Sequence, residues 1–324
     1  MVKAIQFKTP GGPEVLEMTD IDLAAPAAGE ITVRHTAIGL NFIDTYHRTG
    51  LYPLPLPAGI GMEGAGVVEA VGSAVSDLKV GDRVAYASPP PGSYAEARNI
   101  AADRVVKIPD GIEDQTAAAM MLKGMTAQYL IRQIYKVGKG DTILIHAAAG
   151  GVGQIVCQWA NHLGATVIGT VGSKEKAEIA KANGCHHPVL YNDEDFVERV
   201  KEITDGKMLP VVYDSIGATT FDKSLDCLRQ RGLMVSFGQA AGPIPPVNLG
   251  VFAQKGSLFF TRPTLFNYIS TAEDLRATAG DLFDAVSSGA VKIHIDQTFP
   301  LAEARAAHEA LEARKTTGST ILIP

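Results

Sequence analysis

Cysteine is scarce in this chain of 324 residues, and none occurs before Cys157. Cys157, Cys185 and Cys227 are widely spaced and odd in number. Such a set argues against a disulfide framework and fits a reducing cytoplasm, with each thiol a small buried hydrophobe. Long apolar runs are missing too; none approaches the roughly 18 residues of a membrane span. The N-terminus, M-V-K-A-I-Q-F, reads as a strand and lacks the layout of a signal peptide. Positive charge is not in excess. The net charge is −6, so bulk electrostatics favour neither nucleic acid nor an anionic membrane. The densest basic segment, Lys174 to Lys181, also carries Glu175 and Glu178 and no aromatic residue. No nucleic-acid partner is expected from it. Repeats and low-complexity segments are absent. What remains, 46% hydrophobic and 20% charged residues, is the composition of a globular protein long enough for about two domains.

The most informative stretch runs from Asp141 to Gly153, D-T-I-L-I-H-A-A-A-G-G-V-G. Ile143, Leu144 and Ile145 read as a buried parallel strand. Val152, Ile155, Val156, Trp159 and Leu163 then fall on one face of a helix, which Gly164 stops. Between them, Ala148, Gly150 and Gly153 occupy the three small positions of a dinucleotide fingerprint. Ala149, Gly150, Gly151 and Val152 present backbone N–H groups to a pyrophosphate, and Gly153 lets the helix pack close to the strand.

The chain before this stretch reads as short strands broken by Gly and Pro, which suggests a small barrel. Val2 to Phe7, Val15 to Met18, Ile31 to Ala37, Gly66 to Val71, Arg83 to Ala87 and Val105 to Ile108 are strand-like. Phe42 to Arg48, after Asn41, is a short helix. From Ala117 to Gln133 the pattern is helical. Strands and helices then alternate. Strands are expected at Thr166 to Val171, Val189 to Tyr191, Val211 to Asp214, Leu233 to Phe237 and Ser257 to Thr261. Helices are expected from Ser173 to Gly184, from Asp193, and from Phe221 until Gly232. Six strands give a doubly wound parallel sheet. Leu275 to Ser287 and Ala302 to Arg314 are helices and Thr320 to Ile323 a strand; they return to complete the first domain.

In such a sheet, ligands lie outside the carboxyl ends of the strands. The residues there are Gly172, Ser173, Tyr191, Ser215, Phe237, Gly238 and Arg262. No Asp or Glu ends the second strand, so a 2′-phosphate meets no carboxylate where an NAD-specific site carries one. Ser173 starts a helix, and Lys176 in its first turn supplies positive charge. NADPH is the expected cofactor. The sixth strand, S-L-F-F-T, is apolar and lies at the sheet's edge, which predicts a homodimer through that edge.

G-G-P-E-V-L (Gly11 to Leu16), N-F-I-D-T-Y (Asn41 to Tyr46), G-L-Y-P (Gly50 to Pro53), A-A-G-G-V-G, R-G-L-M-V-S-F-G (Arg231 to Gly238) and H-E-A-L-E-A-R (His308 to Arg314) resemble the zinc-independent, zeta-crystallin-like quinone oxidoreductases of the medium-chain dehydrogenase/reductase superfamily. The resemblance runs essentially end to end. It implies an α/β protein: a GroES-like, partly open β-barrel catalytic domain over residues 1–122, a Rossmann domain with a doubly wound six-stranded parallel sheet over 123–264, and a return to the catalytic domain over 265–324. It implies NADPH-dependent reduction of quinones. It places Asn41, Tyr46 and Tyr52 in the catalytic cleft, Asn41 near the nicotinamide ribose or the acceptor oxygen. Lys123 and Thr126, in L-K-G-M-T-A, resemble the segment beside the nicotinamide, with the Thr126 hydroxyl facing the cofactor.

Alcohol dehydrogenases of this superfamily hold zinc through a Cys and the His of G-H-E. Here the segment is Gly61, Met62, Glu63, and the Cys position falls near Asn41. A thioether is a poor zinc ligand, and no thiolate is available. The eight histidines show no H-E-x-x-H spacing, so no metal is expected. Asp44 and Glu63 read as structural carboxylates. Two other functions compete: reduction of α,β-unsaturated carbonyls with NADPH, and a non-catalytic NADPH- or RNA-binding role known among relatives of the family.

Overall fold

In a computed structural model describing residues Met1–Pro324, the Gly- and Pro-punctuated first third folds as short strands around one helix. In order they are β1 (Val2–Phe7), β2 (Glu17–Ile21), β3 (Glu30–Leu40), α1 (Phe42–Arg48), β4 (Ala58–Gly59), β5 (Glu63–Val71), β6 (Arg83–Ala87), β7 (Ala97–Ala101) and β8 (Val106–Lys107). Then come α2 (Asp114–Gln128), β9 (Thr142–Ile145), α3 (Gly151–His162), β10 (Thr166–Val171), α4 (Lys174–Ala182), β11 (His187–Leu190) and α5 (Phe196–Ile203). They are followed by β12 (Leu209–Asp214), α6 (Phe221–Asp226), β13 (Leu228–Ser236), α7 (Gly250–Gln254), β14 (Phe259–Thr261) and α8 (Leu265–Tyr268). The chain closes with α9 (Ala272–Ser287), β15 (Ile295–Pro300), α10 (Ala304–Glu312) and β16 (Ser319–Ile323). One unit comprises Met1–Met125, Ile269–Ser287 and Ile293–Pro324, the other Thr126–Tyr268 and Ser288–Lys292. No helix is long and apolar enough to cross a membrane.

The first unit is built on β3, which pairs antiparallel with β5, β7 and β16. Its sheet runs β15-β16-β3-β5-β6-β8, and a second, smaller sheet runs β2-β1-β4. Ile38 and Leu40 of β3 pack with Ile5, Phe7, Ile60, Tyr94 and Leu322. Each such side chain, once fully buried, contributes about 1.5–3 kcal/mol against exposure.

The second unit is a parallel sheet in the order β11-β10-β9-β12-β13-β14. This is the doubly wound dinucleotide-binding order, with its topological switch between β9 and β12. Leu144, Ile168, Val189, Val212 and Met234 fill the core on one face with Phe196, Val200 and Leu225 from the helices. β14 is the edge, and its Phe259 and Phe260 are 61% and 41% exposed.

Several elements differ from the sequence reading. The helix expected to run from Phe221 to Gly232 ends at Asp226, and β13 is already under way at Leu228. Gly232 instead sits where a Cβ would approach the carbonyls of Arg229 and Leu209 at 2.9 and 3.1 Å. It permits an irregularity in the β12–β13 register rather than stopping a helix. The helix expected from Asp193 starts at Phe196, because Asp195 is the residue whose carboxylate caps it, accepting from Val197 N–H. Val15 belongs to a short 3-10 turn, Pro13–Val15, and the following strand is shifted to Glu17–Ile21.

Candidate active site

In the second unit, β9 delivers the chain into the small-residue turn and α3 takes it away. Gly150 is the extended residue capping α3. Ala149, Gly150, Gly151 and Val152 therefore form the turn and first residues of the helix, whose opening N–H groups have no acceptor within it. A Cβ on Gly153 would collide with the Ala147 carbonyl and the Ala148 backbone, so only glycine allows this helix to lie so close to its strand. The turn suits an anion of the pyrophosphate kind.

The second βα turn brings together Gly172, Ser173, Lys176 and Tyr191. Ser173 caps α4, its hydroxyl oxygen accepting from Lys176 N–H at 3.3 Å. The Tyr191 hydroxyl lies 2.6 Å from where a Cβ on Gly172 would stand, and Asn192 Nδ2 donates to the Gly172 carbonyl at 2.9 Å. One feature escapes the sequence reading. The Ser173 hydroxyl also bonds the Glu175 carboxylate and holds it below its ordinary range.

Past the ends of β12 and β13, Ser215, Phe237 and Gly238 meet. Phe237 N–H donates to the Asp214 carbonyl at 2.8 Å, and a Cβ on Gly238 would stand 2.7 Å from the Ser215 carbonyl. Thr126 and Arg262 fall in a separate group around an aromatic stack. Tyr129 and Tyr268 lie face to face, 4.5 Å apart and 8° from parallel. Tyr129 bonds the Thr126 hydroxyl, and burial first of all raises its pKa, with Arg262 opposing. Tyr129 begins a π-helical turn, Tyr129–Ile134, a geometry that recurs at functional sites.

In the first unit, Asn41 caps α1 and is buried. Its Nδ2 donates to Glu63 Oε2 at 2.7 Å and its backbone N–H to Asp44 Oδ2 at 2.9 Å. Glu63 is fully buried. It also accepts from Leu122 N–H at 2.7 Å and pairs with Lys123 Nζ at 3.5 Å, while Lys123 donates to the Leu40 carbonyl at 3.1 Å. Tyr46 and Tyr52 are half-buried and meet edge to face, centroids 5.4 Å apart, and His47 also meets Tyr52 edge to face, centroids 6.0 Å apart.

Beyond Asn41 lies a chain of polar groups, all but Glu312 buried, that sequence reasoning missed. Asp44 Oδ2 accepts from the Tyr94 hydroxyl at 3.0 Å; Tyr94 meets His308 Nε2 at 3.2 Å; His308 Nδ1 accepts from Arg48 at 2.9 Å; Arg48 pairs with Glu312 at 2.7 Å. Burial pushes the Asp44 carboxyl up to about 7, against its hydrogen bonds from Asn41 and Tyr94, and its Oδ1 has no partner. Burial, aided by the Arg48 charge, pushes His308 down to about 3. Elsewhere in the unit, burial lowers His35 to about 4.

A family model described as zinc-binding dehydrogenase matches residues 151–285, and one described as alcohol dehydrogenase GroES-like domain matches residues 27–110. A quinone oxidoreductase of Pseudomonas aeruginosa is 57% identical over 325 residues, with 100% of both chains covered. A 2-haloacrylate reductase of Burkholderia sp is 48% identical over 335 residues, covering 100% of this chain and 99% of its own. The crystal structure of the Escherichia coli quinone oxidoreductase complexed with NADPH is 51% identical, with a TM-score of 0.98 over 99% of this chain and 100% of that one.

Proposed function

The chain belongs to the quinone oxidoreductase family of the medium-chain dehydrogenase/reductases, and on that premise we propose that it reduces quinones with NADPH and without zinc. The observation that carries the choice of acceptor is the polar corner at Asn41, Met62 and Glu63. The zinc in the description of the matched family model does not fit there. Asn41 offers an amide already given to Glu63, Met62 is a thioether buried in the core, and Glu63 is held by Asn41, Leu122 and Lys123. No three His, Cys, Asp or Glu side chains cluster as a metal site anywhere in the chain. Without a Lewis acid to polarise an alcohol or carbonyl, the acceptor must already be electron-poor, as a quinone is.

When bound, NADPH supplies a hydride. The protein's own share is orientation and exclusion of water. Ala149, Gly150, Gly151 and Val152 hold the pyrophosphate on the N-terminus of α3. Gly172, Ser173, Lys176 and Tyr191 take the 2′-phosphate, with Lys176 the only cation of the four. Ser215 lines the turn after β12 and Phe237 and Gly238 the turn after β13, and Thr126 and Arg262 contribute beside the Tyr129–Tyr268 stack. Tyr46 and Tyr52 offer the acceptor an aromatic face and hydroxyls, and Asn41 caps the helix that carries Tyr46. The exposed Phe259 and Phe260 of the edge strand support a homodimer through β14. Three free, buried cysteines support a reducing cytoplasm.

The test is turnover under NADPH of 1,4-benzoquinone, 9,10-phenanthrenequinone and an alkenal. Quinone turnover well above alkenal turnover is expected. The reverse would favour reduction of an activated carbon–carbon double bond, a second reading that the similarity to the 2-haloacrylate reductase supports.

A further inference from the structure

The turns after β9, β10 and β12 of the parallel sheet converge on one buried side chain that carries no part in the reading above, His146. It follows β9 directly and precedes Ala147, a non-glycine residue held at φ 55 where the glycine turn begins. Its Nδ1 lies 2.8 Å from Thr170 Oγ1, in β10 just ahead of Gly172 and Ser173. Its Nε2 lies 2.9 Å from Ser224 Oγ in α6. Ser224 donates to Asp214 Oδ2 at 2.9 Å. Asp214 ends β12. Its carboxylate also accepts from Thr220 Oγ1 at 2.7 Å and, through Oδ1, from the N–H groups of Ile216 at 2.7 Å and Gly217 at 3.1 Å. The two amides directly follow Ser215 in the turn. His146, Thr170, Asp214 and Ser224 are each at most 1% exposed.

We propose that His146 is a positioning residue for the cofactor, held as its Nε2–H tautomer in a directed hydrogen-bond chain from Thr170 through His146 and Ser224 to Asp214 that fixes the turns after β9, β10 and β12 relative to one another. The direction follows from donor bookkeeping. A carboxylate only accepts, so Ser224 gives its single proton to Asp214. The Ser224 oxygen is then left to accept, and Nε2 must carry the hydrogen. Nδ1 is therefore bare and accepts from the Thr170 hydroxyl. Burial lowers the affinity of this imidazole for a second proton, which keeps it neutral. Each group has one role, so removing one strands its neighbours without water to replace it. The turns so joined are those assigned to the pyrophosphate, the 2′-phosphate and the segment at Ser215; the proposal rests on that assignment of NADPH.

The experiment combines a spectroscopic and a binding readout on the full chain. Nitrogen-15 NMR of histidine-labelled protein should show His146 with a bare Nδ1 and a protonated Nε2; the opposite tautomer, or a ring protonated on both nitrogens at pH 7, overturns the chain. His146→Phe and Thr170→Val should each raise the NADPH dissociation constant, by about 10-fold for the histidine, which makes two of the bonds, and His146→Gln should recover part of the loss. A purely structural role would lower the thermal midpoint and leave the dissociation constant of the folded fraction at the wild-type value, and that result overturns the proposal. If His146→Phe does not fold, Thr170→Val, nearly the same shape, decides by the same measure. Wild type that fails to bind NADPH takes the cofactor assignment down too, whereas variants that bind like wild type refute the positioning role alone.

Discussion

Replacing Asp44 with asparagine should steepen the acid side of the stability curve. The carboxyl has an ordinary pKa of 3.8 and sits at about 7 in the fold. Between those values the folded chain keeps a proton that the unfolded chain has released. Stability therefore falls as pH rises through the window, by about 1.36 kcal/mol per pH unit. Over roughly three units the loss is on the order of 4 kcal/mol, and above pH 7 it is complete. The buried histidines act the other way. His308 at about 3 and His35 at about 4, against an ordinary 6.5, refuse protons that the unfolded chain binds. Their contribution is fully present above 6.5 and is lost as pH falls.

From pH 4 to 6.5 the proton kept by Asp44 opposes those refused by the buried histidines, which include His146 as well as His308 and His35. Asp44→Asn removes the opposing proton, so stability rises with pH more steeply than in the wild type, by about 1.4 kcal/mol per pH unit. The new amide keeps an acceptor for Asn41 N–H and Tyr94 but puts an NH2 where Oδ1 already lacks a partner. That lowers the whole curve by about 1–3 kcal/mol without changing its shape. Exposed carboxylates titrate alike in both proteins and cancel in the difference. Urea unfolding at half-unit steps from pH 4 to 8, at constant ionic strength, reads the result. Two curves separated by a constant offset would refute a neutral, buried Asp44.

Lys176→Ala should weaken NADPH by roughly 10- to 150-fold, the range of one charge-assisted bond to phosphate, and leave NADH nearly unchanged; equal loss of both cofactors in a fluorescence titration would contradict the second βα turn as the 2′-phosphate corner. Purified protein should carry no stoichiometric zinc and keep its activity in strong chelators; one zinc per chain, lost together with activity, would contradict the misfit at Asn41 and Met62. Phe260→Asp should convert a dimer to a monomer by light scattering at micromolar concentration, since it puts a charge on the edge strand, and a wild type already monomeric would sink that assembly.

Sequence pattern reaches some of these features because their physics is local. The turn from Ala147 to Gly153 needs small residues at fixed spacing, so backbone sterics write it directly into the chain. Asn41 and Ser173 mark helix starts by the same logic, and α1 and β10 fall where their patterns place them. β7 has no such pattern: A-R-N-I-A is a strand because β3 offers it a partner, not because its composition demands one. β15, with Asp296 and Gln297 inside it, depends in the same way on β16.

The polar interior is harder to read, because its meaning depends on partners far off in sequence. A carboxylate in the first turn of a helix usually faces water and favours the helix dipole. Asp44 has that position, yet Tyr94 reaches it from 50 residues away and His308, in turn, lies 214 residues beyond Tyr94. His146 is similar. In sequence it is one histidine in a run of small residues; in the sheet it stands between β10 and β12, because the strand order puts β9 between them. Asp214 carried a local signal that was there to use. An aspartate ending a strand before S-I-G favours a turn in which its carboxylate takes the next N–H groups, as it does with Ile216 and Gly217. Once that carboxylate is placed, the direction of every proton from Thr170 onward follows. The fold decides which residues meet, and the chemistry of the last acceptor decides what each must donate.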